Sequence, residues 1–172
     1  MNSDFLIALD VETTGMNYSN GDRVCEIGAV KFDKKGNEVE KFDILINPDM
    51  PMPYEATRVN GITDEMLASC PKFMDVADSF LAFVKDLPLL AYNAGFDMGF
   101  LNKELQLCGG PLLDNQVIDV LEIARRMLPG LSSYKLASVA KYLGIEEDMD
   151  YHRAYADAFI MGRVFFEIAR RI

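Results

Sequence analysis

The chain has 172 residues, with 17 Lys and Arg against 27 Asp and Glu and a formal net charge of -10. That length fits one domain, expected over residues 1–172, which can bury about 70% of the surface its unfolded form exposes and so hold a core unaided. A hydrophobic content of 50% excludes a disordered or collagenous chain. The surplus of acids argues against a purely electrostatic grip on nucleic acid or on an anionic membrane. Cys25, Cys70 and Cys108 form no C-x-x-C pair, so neither a disulfide framework nor a thiolate zinc site is expected. The first apolar run is too short for a signal core or a membrane span, and a cytoplasmic protein is expected.

Phe5–Leu9 is a continuous apolar run, the mark of a strand covered on both faces. Val24–Phe32 and Val39–Ile46 follow as strands, joined by a turn over Asp33–Asn37 with a glycine at position 36. Prolines at 48, 51 and 53 mark an irregular loop. Phe73–Val84 has helical periodicity, with Phe73, Val76, Ala77, Phe80 and Val84 on one face. Leu87–Tyr92 reads as a short strand, Phe96–Leu107 as a helix and Gln116–Ile118 as a last strand. Leu121–Met127, Ser133–Leu143 and Ala154–Ile172 read as helices. Strands first, then strands alternating with helices, predict an α/β layered domain with a mixed sheet, its first three strands antiparallel and its later ones parallel.

The acids at the ends of these elements carry the chemistry. Asp10 and Glu12 end the first strand, and side chains two apart on a strand share a face. Such a pair is either a cation site or two solvated groups on a frayed end. Asp157 begins a stripe that continues through Met161, Val164 and Ile168, so it faces the core with no basic residue on the same stripe. A capping role at the helix start is the alternative. His152 is the sole histidine. Five residues before Asp157, it shares a site with that acid only if it lies on a loop before the helix, which the acidic run over 148–150 permits; otherwise it is a surface residue. Asp97 follows a strand end and a glycine turn, where α/β sheets place functional groups, and equally where a carboxylate complements a helix dipole. Four carboxylates from three separate element ends suit hard divalent ions such as Mg²⁺, a pair of which can clamp a phosphodiester.

Asp10-Val-Glu12-Thr13-Thr14-Gly15, Asn93-Ala-Gly-Phe96-Asp97 and His152-Arg-Ala-Tyr-Ala-Asp157 resemble the three motifs of the DEDDh exonuclease family. Its members include the epsilon proofreading subunit of bacterial DNA polymerase III, RNase T and oligoribonuclease, and the pattern is most similar to the epsilon type. Glu26-Ile-Gly-Ala-Val30, Asn60-Gly-Ile-Thr63, Ile118-Asp119 and Ser133-Tyr-Lys-Leu136 fit as well, so the resemblance spans residue 5 to about 170. It implies a ribonuclease-H-like fold, a mixed five-stranded sheet flanked by helices. It implies a 3′-5′ exonuclease with two Mg²⁺ or Mn²⁺ ions on Asp10, Glu12, Asp97 and Asp157, and with His152 as general base. Thr13, Thr14, Gly15, Met16, Asn93 and Phe96 would hold the terminal nucleotide, with Met16 or Ile62 packing on its base. Tyr92 and Asn60 stand where the family usually has histidine, which leaves His152 as the only imidazole.

The substrate implied is a single-stranded or frayed 3′ end, DNA ahead of RNA, released as nucleoside 5′-monophosphates, with a DNA polymerase subunit as a partner. An RNA-trimming enzyme is the enzymatic alternative, and a non-catalytic nucleic-acid-binding scaffold the alternative outside enzymes. On this reading the bound ions, rather than a basic patch, attract the reacting phosphate.

Overall fold

A computed structural model describes residues 3–145 and 152–171. Five strands form one mixed sheet in the order β3-β2-β1-β4-β5. β1 (Phe5–Thr13), β2 (Val24–Asp33) and β3 (Glu38–Leu45) are antiparallel neighbours. β4 (Leu89–Ala91) runs parallel to β1, and β5 (Val117–Asp119) parallel to β4. This is the architecture expected from the sequence. Gly36, at φ 83°, closes the β2–β3 turn in a conformation that glycine adopts without cost.

Alternation along β1 divides the core in two. Ile7, Leu9 and Val11 face a layer built on α3 (Phe73–Val84) and α4 (Ala94–Leu107). Leu6 and Ala8 face the opposite layer, built on α5 (Val120–Met127), α6 (Leu136–Leu143) and α7 (Ala154–Arg170). Asp10 and Glu12 continue the second set, so the strand aims both at α7. The stripe anticipated on α7 is buried at Met161, Val164 and Ile168. Two glycines let that helix sit close. A Cβ on Gly28 of β2 would lie 2.1 Å from the backbone of Ala154, and one on Gly162 would lie 2.2 Å from the Phe32 ring.

Several boundaries move for physical reasons. β4 is shorter than the expected Leu87–Tyr92 because Pro88, which has no N–H, precedes it; its carbonyl accepts from the Ile7 N–H at 2.9 Å. α4 starts two residues early, at Ala94, because Asn93 takes a left-handed conformation at φ 67° and ends the turn there. α6 begins only at Leu136, after an extended Lys135. Two short helices went unanticipated after the proline loop: α1 (Tyr54–Asn60), with Pro53 at its N-cap and Gly61 at its C-cap, and α2 (Asp64–Leu67), capped by the Thr63 side chain. They cover the start of β2 through a small cluster of Cys25, Met52, Ile62 and Leu67. The acidic run over 148–150 lies outside the described residues. Among those described, no helix is long and apolar enough to cross a membrane.

Candidate active site

The first strand does not fray at its acids. β1 stays paired with β2 through Glu12, opposite Glu26, so Asp10 and Glu12 project from regular strand rather than from a solvated end. Asp157, in the first turn of α7, meets them. One carboxylate oxygen from each of Asp10, Glu12 and Asp157 lies within 4.8 Å of the others. Capping accounts for only half of Asp157: its Oδ2 accepts the His152 N–H at 3.2 Å, while its Oδ1 is buried with no hydrogen-bond partner among the described residues. Asp97 lies outside that triad but borders it. It is 2% exposed, and its Oδ1 accepts the Val11 N–H at 3.1 Å, joining α4 to the strand between the other two acids.

The electrostatics are those of an uncompensated cluster. Burial holds Asp10 well above the usual carboxylate range, with the charges of Asp97, Asp157 and Glu12 adding to the effect. Burial, then Asp157 and Glu26, push Glu12 up to about 8. Burial pushes Asp97 up to about 8 against the backbone hydrogen bonds that lower it. Asp157 is raised by burial, partly offset by the His152 N–H. Acids that resist ionisation for want of a positive charge, one with an orphaned oxygen, fit hard divalent cations, which take carboxylate oxygens. The residues able to hold such ions are Asp10, Glu12 and Asp157, with Asp97 alongside.

His152 lies before α7 on the loop, exposed, in the left-handed region at φ 67°. For a residue with a side chain that conformation costs on the order of 1 kcal/mol and persists only when the surroundings impose it. They do: Asp157 takes the His152 N–H, and the next two residues are tied to Glu26, whose carboxylate accepts from Arg153 Nη2 at 2.6 Å and from the Ala154 N–H at 3.0 Å.

Two cavities flank the acids. One, of about 340 Å³, is lined by Glu12, Thr13, Thr14, Gly15, Met16, Val59, Asn60 and Phe96. Met16 is exposed at its mouth, while the threonine hydroxyls are engaged internally: Thr13 donates to the Gly15 carbonyl at 2.6 Å, and Thr14 accepts from the Arg23 N–H at 3.0 Å. Two expected contacts are absent from this wall. Ile62, two residues past the end of α1, is fully buried against Cys25, Met52 and Leu67, its N–H donated to Asn60 and its carbonyl accepting the Thr57 hydroxyl at 2.8 Å; Val59, unforeseen, is the exposed apolar group of that segment. Asn93 lies outside this cavity's lining, exposed at the turn before α4, with its backbone N–H donated to Asp119 Oδ1 at 3.2 Å. Asp119 also accepts from Ala94, Leu121 and Glu122, tying the starts of α4 and α5 together.

The other cavity, of about 640 Å³, is bordered by His152 and Asp157 and walled by Tyr92, Arg125, Tyr134 and Lys135. Tyr92, where the family usually has histidine, donates its hydroxyl to the Tyr134 carbonyl, and burial pushes its pKa up to about 12. Asn60, the other departure, is buried; its side chain accepts the Ile62 N–H at 3.0 Å and its amide nitrogen lies 3.4 Å from the Thr13 carbonyl. Asn60, Glu26 and Arg153 each lie in a motif stretch, but nothing local signals that Glu26 pairs with Arg153, 127 residues away.

Residues 7–165 match the RNase_T exonuclease family. The chain belongs to this family. The exonuclease is 40% identical to the DNA polymerase III subunit epsilon of Treponema pallidum over 160 residues, 92% of this chain and 73% of that protein. It is 39% identical to the same subunit of Rickettsia felis, over 94% of this chain and 72% of that one. Among solved structures it superposes on the nuclease domain of 3′hExo, a DEDDh family member bound to rAMP, with a TM-score of 0.86 at 17% identity, covering 99% of this chain and 94% of that one. Exonuclease X in complex with 5′ overhanging duplex DNA gives 0.79 at 24% identity, covering 96% and 92%. These likenesses establish the ribonuclease-H-like fold, and the family makes the protein a 3′-5′ exonuclease.

Proposed function

We propose that the exonuclease trims a single-stranded or frayed 3′ end, DNA in preference to RNA, with His152 as the general base and divalent ions on Asp10, Glu12, Asp97 and Asp157. The observation that carries this reading is the triad itself: three carboxylates within 4.8 Å, one oxygen orphaned, beside the sole histidine. Two bound Mg²⁺ or Mn²⁺ ions would polarise the scissile phosphate and favour ionisation of the attacking water. The chain's own residues do the rest. The apolar cavity over Met16, Val59 and Phe96 takes the terminal nucleoside. Arg125 and Lys135, which have no acidic partner among the described residues, face the phosphates of the remaining strand in the larger cavity. His152 accepts a proton from the attacking water as its oxygen bonds to phosphorus and the P–O3′ bond breaks. The nucleoside leaves with a 5′-phosphate, and the O3′ of the shortened strand takes a proton from solvent water to become a 3′-hydroxyl.

DNA is favoured because relatives at 39–40% identity are polymerase III epsilon subunits; the same likeness supports a polymerase subunit as a partner and a cytoplasmic site of action. The test is a side-by-side digestion of end-labelled single-stranded DNA, duplex DNA with a mismatched 3′ end, and very short RNA. Fastest loss from the two DNA substrates is expected. Preference for the short RNA would make the protein an RNA-trimming enzyme, and cleavage that persists in chelator would end the metal reading.

A further inference from the structure

Another acid, fully buried, stands behind the triad, and it is wired differently. Glu26 lies opposite Glu12 in the β1–β2 register, on the sheet face that α7 covers, and is 1% exposed. Its negative charge bears on Asp10, Glu12 and Asp157 alike. As a stability device this is a poor choice, because a buried ion pair is commonly matched or bettered by apolar packing, and this one adds like charge beside a cluster already short of cations. What it does accomplish is geometric. Arg153 Nε reaches both Glu26 oxygens at 3.1 Å, Arg153 Nη2 reaches Oε1 at 2.6 Å, and the Ala154 N–H reaches Oε2 at 3.0 Å. The two residues that follow His152 are thus gripped by one carboxylate on the sheet, one by its side chain and one by its backbone. With Gly28 allowing the Ala154 backbone onto β2, the loop has no freedom to slide along the sheet.

We infer that Glu26 is a positioning residue for the exonuclease reaction: through Arg153 and Ala154 it sets the approach of the His152 imidazole to the carboxylate triad. The inference rests on His152 being the base. Glutamine at position 26 can still accept the Ala154 N–H but offers the guanidinium one acceptor in place of two and no charge.

The experiment is steady-state kinetics on a short single-stranded oligonucleotide at saturating metal. Glu26→Gln and Arg153→Ala are expected to lower kcat by about 10- to 100-fold with KM unchanged, the signature of a misplaced group rather than of lost substrate binding. Arg153→Lys keeps a charged side chain that can reach Glu26 from the same backbone, and should regain much of the kcat that Arg153→Ala loses, but not in the background of Glu26→Gln. Should Glu26→Gln fail to fold, the comparison of Arg153→Lys with Arg153→Ala decides alone. The inference is overturned if His152→Ala is inactive while Arg153→Ala keeps wild-type kcat, or if Arg153→Lys is no better than Arg153→Ala. Full activity in His152→Ala would instead remove the base on which it rests.

Discussion

Glu104 and Glu26 are each 1% exposed, and Asp97 is 2% exposed, yet the three acids are served very differently. Arg23 places Nε and Nη2 on the two Glu104 oxygens, each at 2.7 Å, and the Val24 N–H adds a third contact at 3.1 Å. Glu26 has the same equipment in Arg153 and the Ala154 N–H. Among the described residues Asp97 has a backbone N–H and no Lys or Arg partner, and Asp10, Glu12 and Asp157 likewise have no Lys or Arg paired to them. One chain thus holds acids closed as ion pairs and acids left open, and three of the open ones, Asp10, Glu12 and Asp157, converge on a point. A missing partner is costly where the group is structural. Where it is repeated around one spot, the cluster suits an ion supplied from outside.

The sharpest way to break this contrast is to delete one member of each set. Asp157→Ala should cut exonuclease activity by about a thousandfold or more, since the acids act as a unit, while leaving thermal stability in chelator equal or raised because a like charge has gone. Glu104→Ala should do the reverse: a loss of about 3 kcal/mol, because Arg23 and the Val24 N–H are left unpaired, with kcat largely kept. Equal stability losses in the two variants, read by denaturant melts in chelator, would erase the distinction. A smaller effect comes from the ion. At about 100 times its Kd, Mg²⁺ or Mn²⁺ should add about 2.7 kcal/mol, a Tm rise of about 5–10 °C for a chain of this size, and Asp10→Asn should lose most of it. Scanning calorimetry that finds no rise with either ion would argue against an open site.

Stability should also depend on pH. Without metal, folded Glu12 and Asp97 keep their protons up to about pH 8, whereas the unfolded chain releases them near 4. Between those values the folded state binds more protons, so these groups make stability fall as pH rises from about 4 to 8 and level off above. Saturating metal should flatten that slope, and Glu12→Gln should reduce it. Urea melts at several pH values, with and without metal, give the difference directly; identical slopes would mean the cluster is not what titrates.

The division between open and closed acids was only half legible in the sequence. Asp10 and Glu12 could be paired by strand alternation, and Asp157 marked by its place on the α7 stripe, because both depend on short-range periodicity. His152 could be put on a loop by the angle a regular helix imposes. The closed pairs could not be seen, since Arg23–Glu104 and Arg153–Glu26 join residues 81 and 127 positions apart. The lining of the smaller cavity was hidden for a related reason. Three prolines suggested an irregular loop, and the unforeseen helix α1 is what leaves Val59 exposed there, while Ile62, beyond its end, is buried. The mixed sheet, with its first three strands antiparallel and its later ones parallel, was readable from the order of elements, with the ends of β4 and α4 reset by Pro88 and Asn93.

The two glycine contacts of α7 have a consequence for how accurately Asp157 is placed. The helix touches Gly28 of β2 with its backbone at Ala154 and Phe32 of the same strand with its own Gly162. Eight residues separate these points, about 12 Å along the axis. Two points of zero clearance fix a line, and Asp157 lies on the segment between them. Its position is therefore interpolated between two hard stops, like a mark on a rod resting in two notches. A methyl group added at either notch would lift one end of the rod and move the mark by a fraction of that lift, without touching any residue of the site.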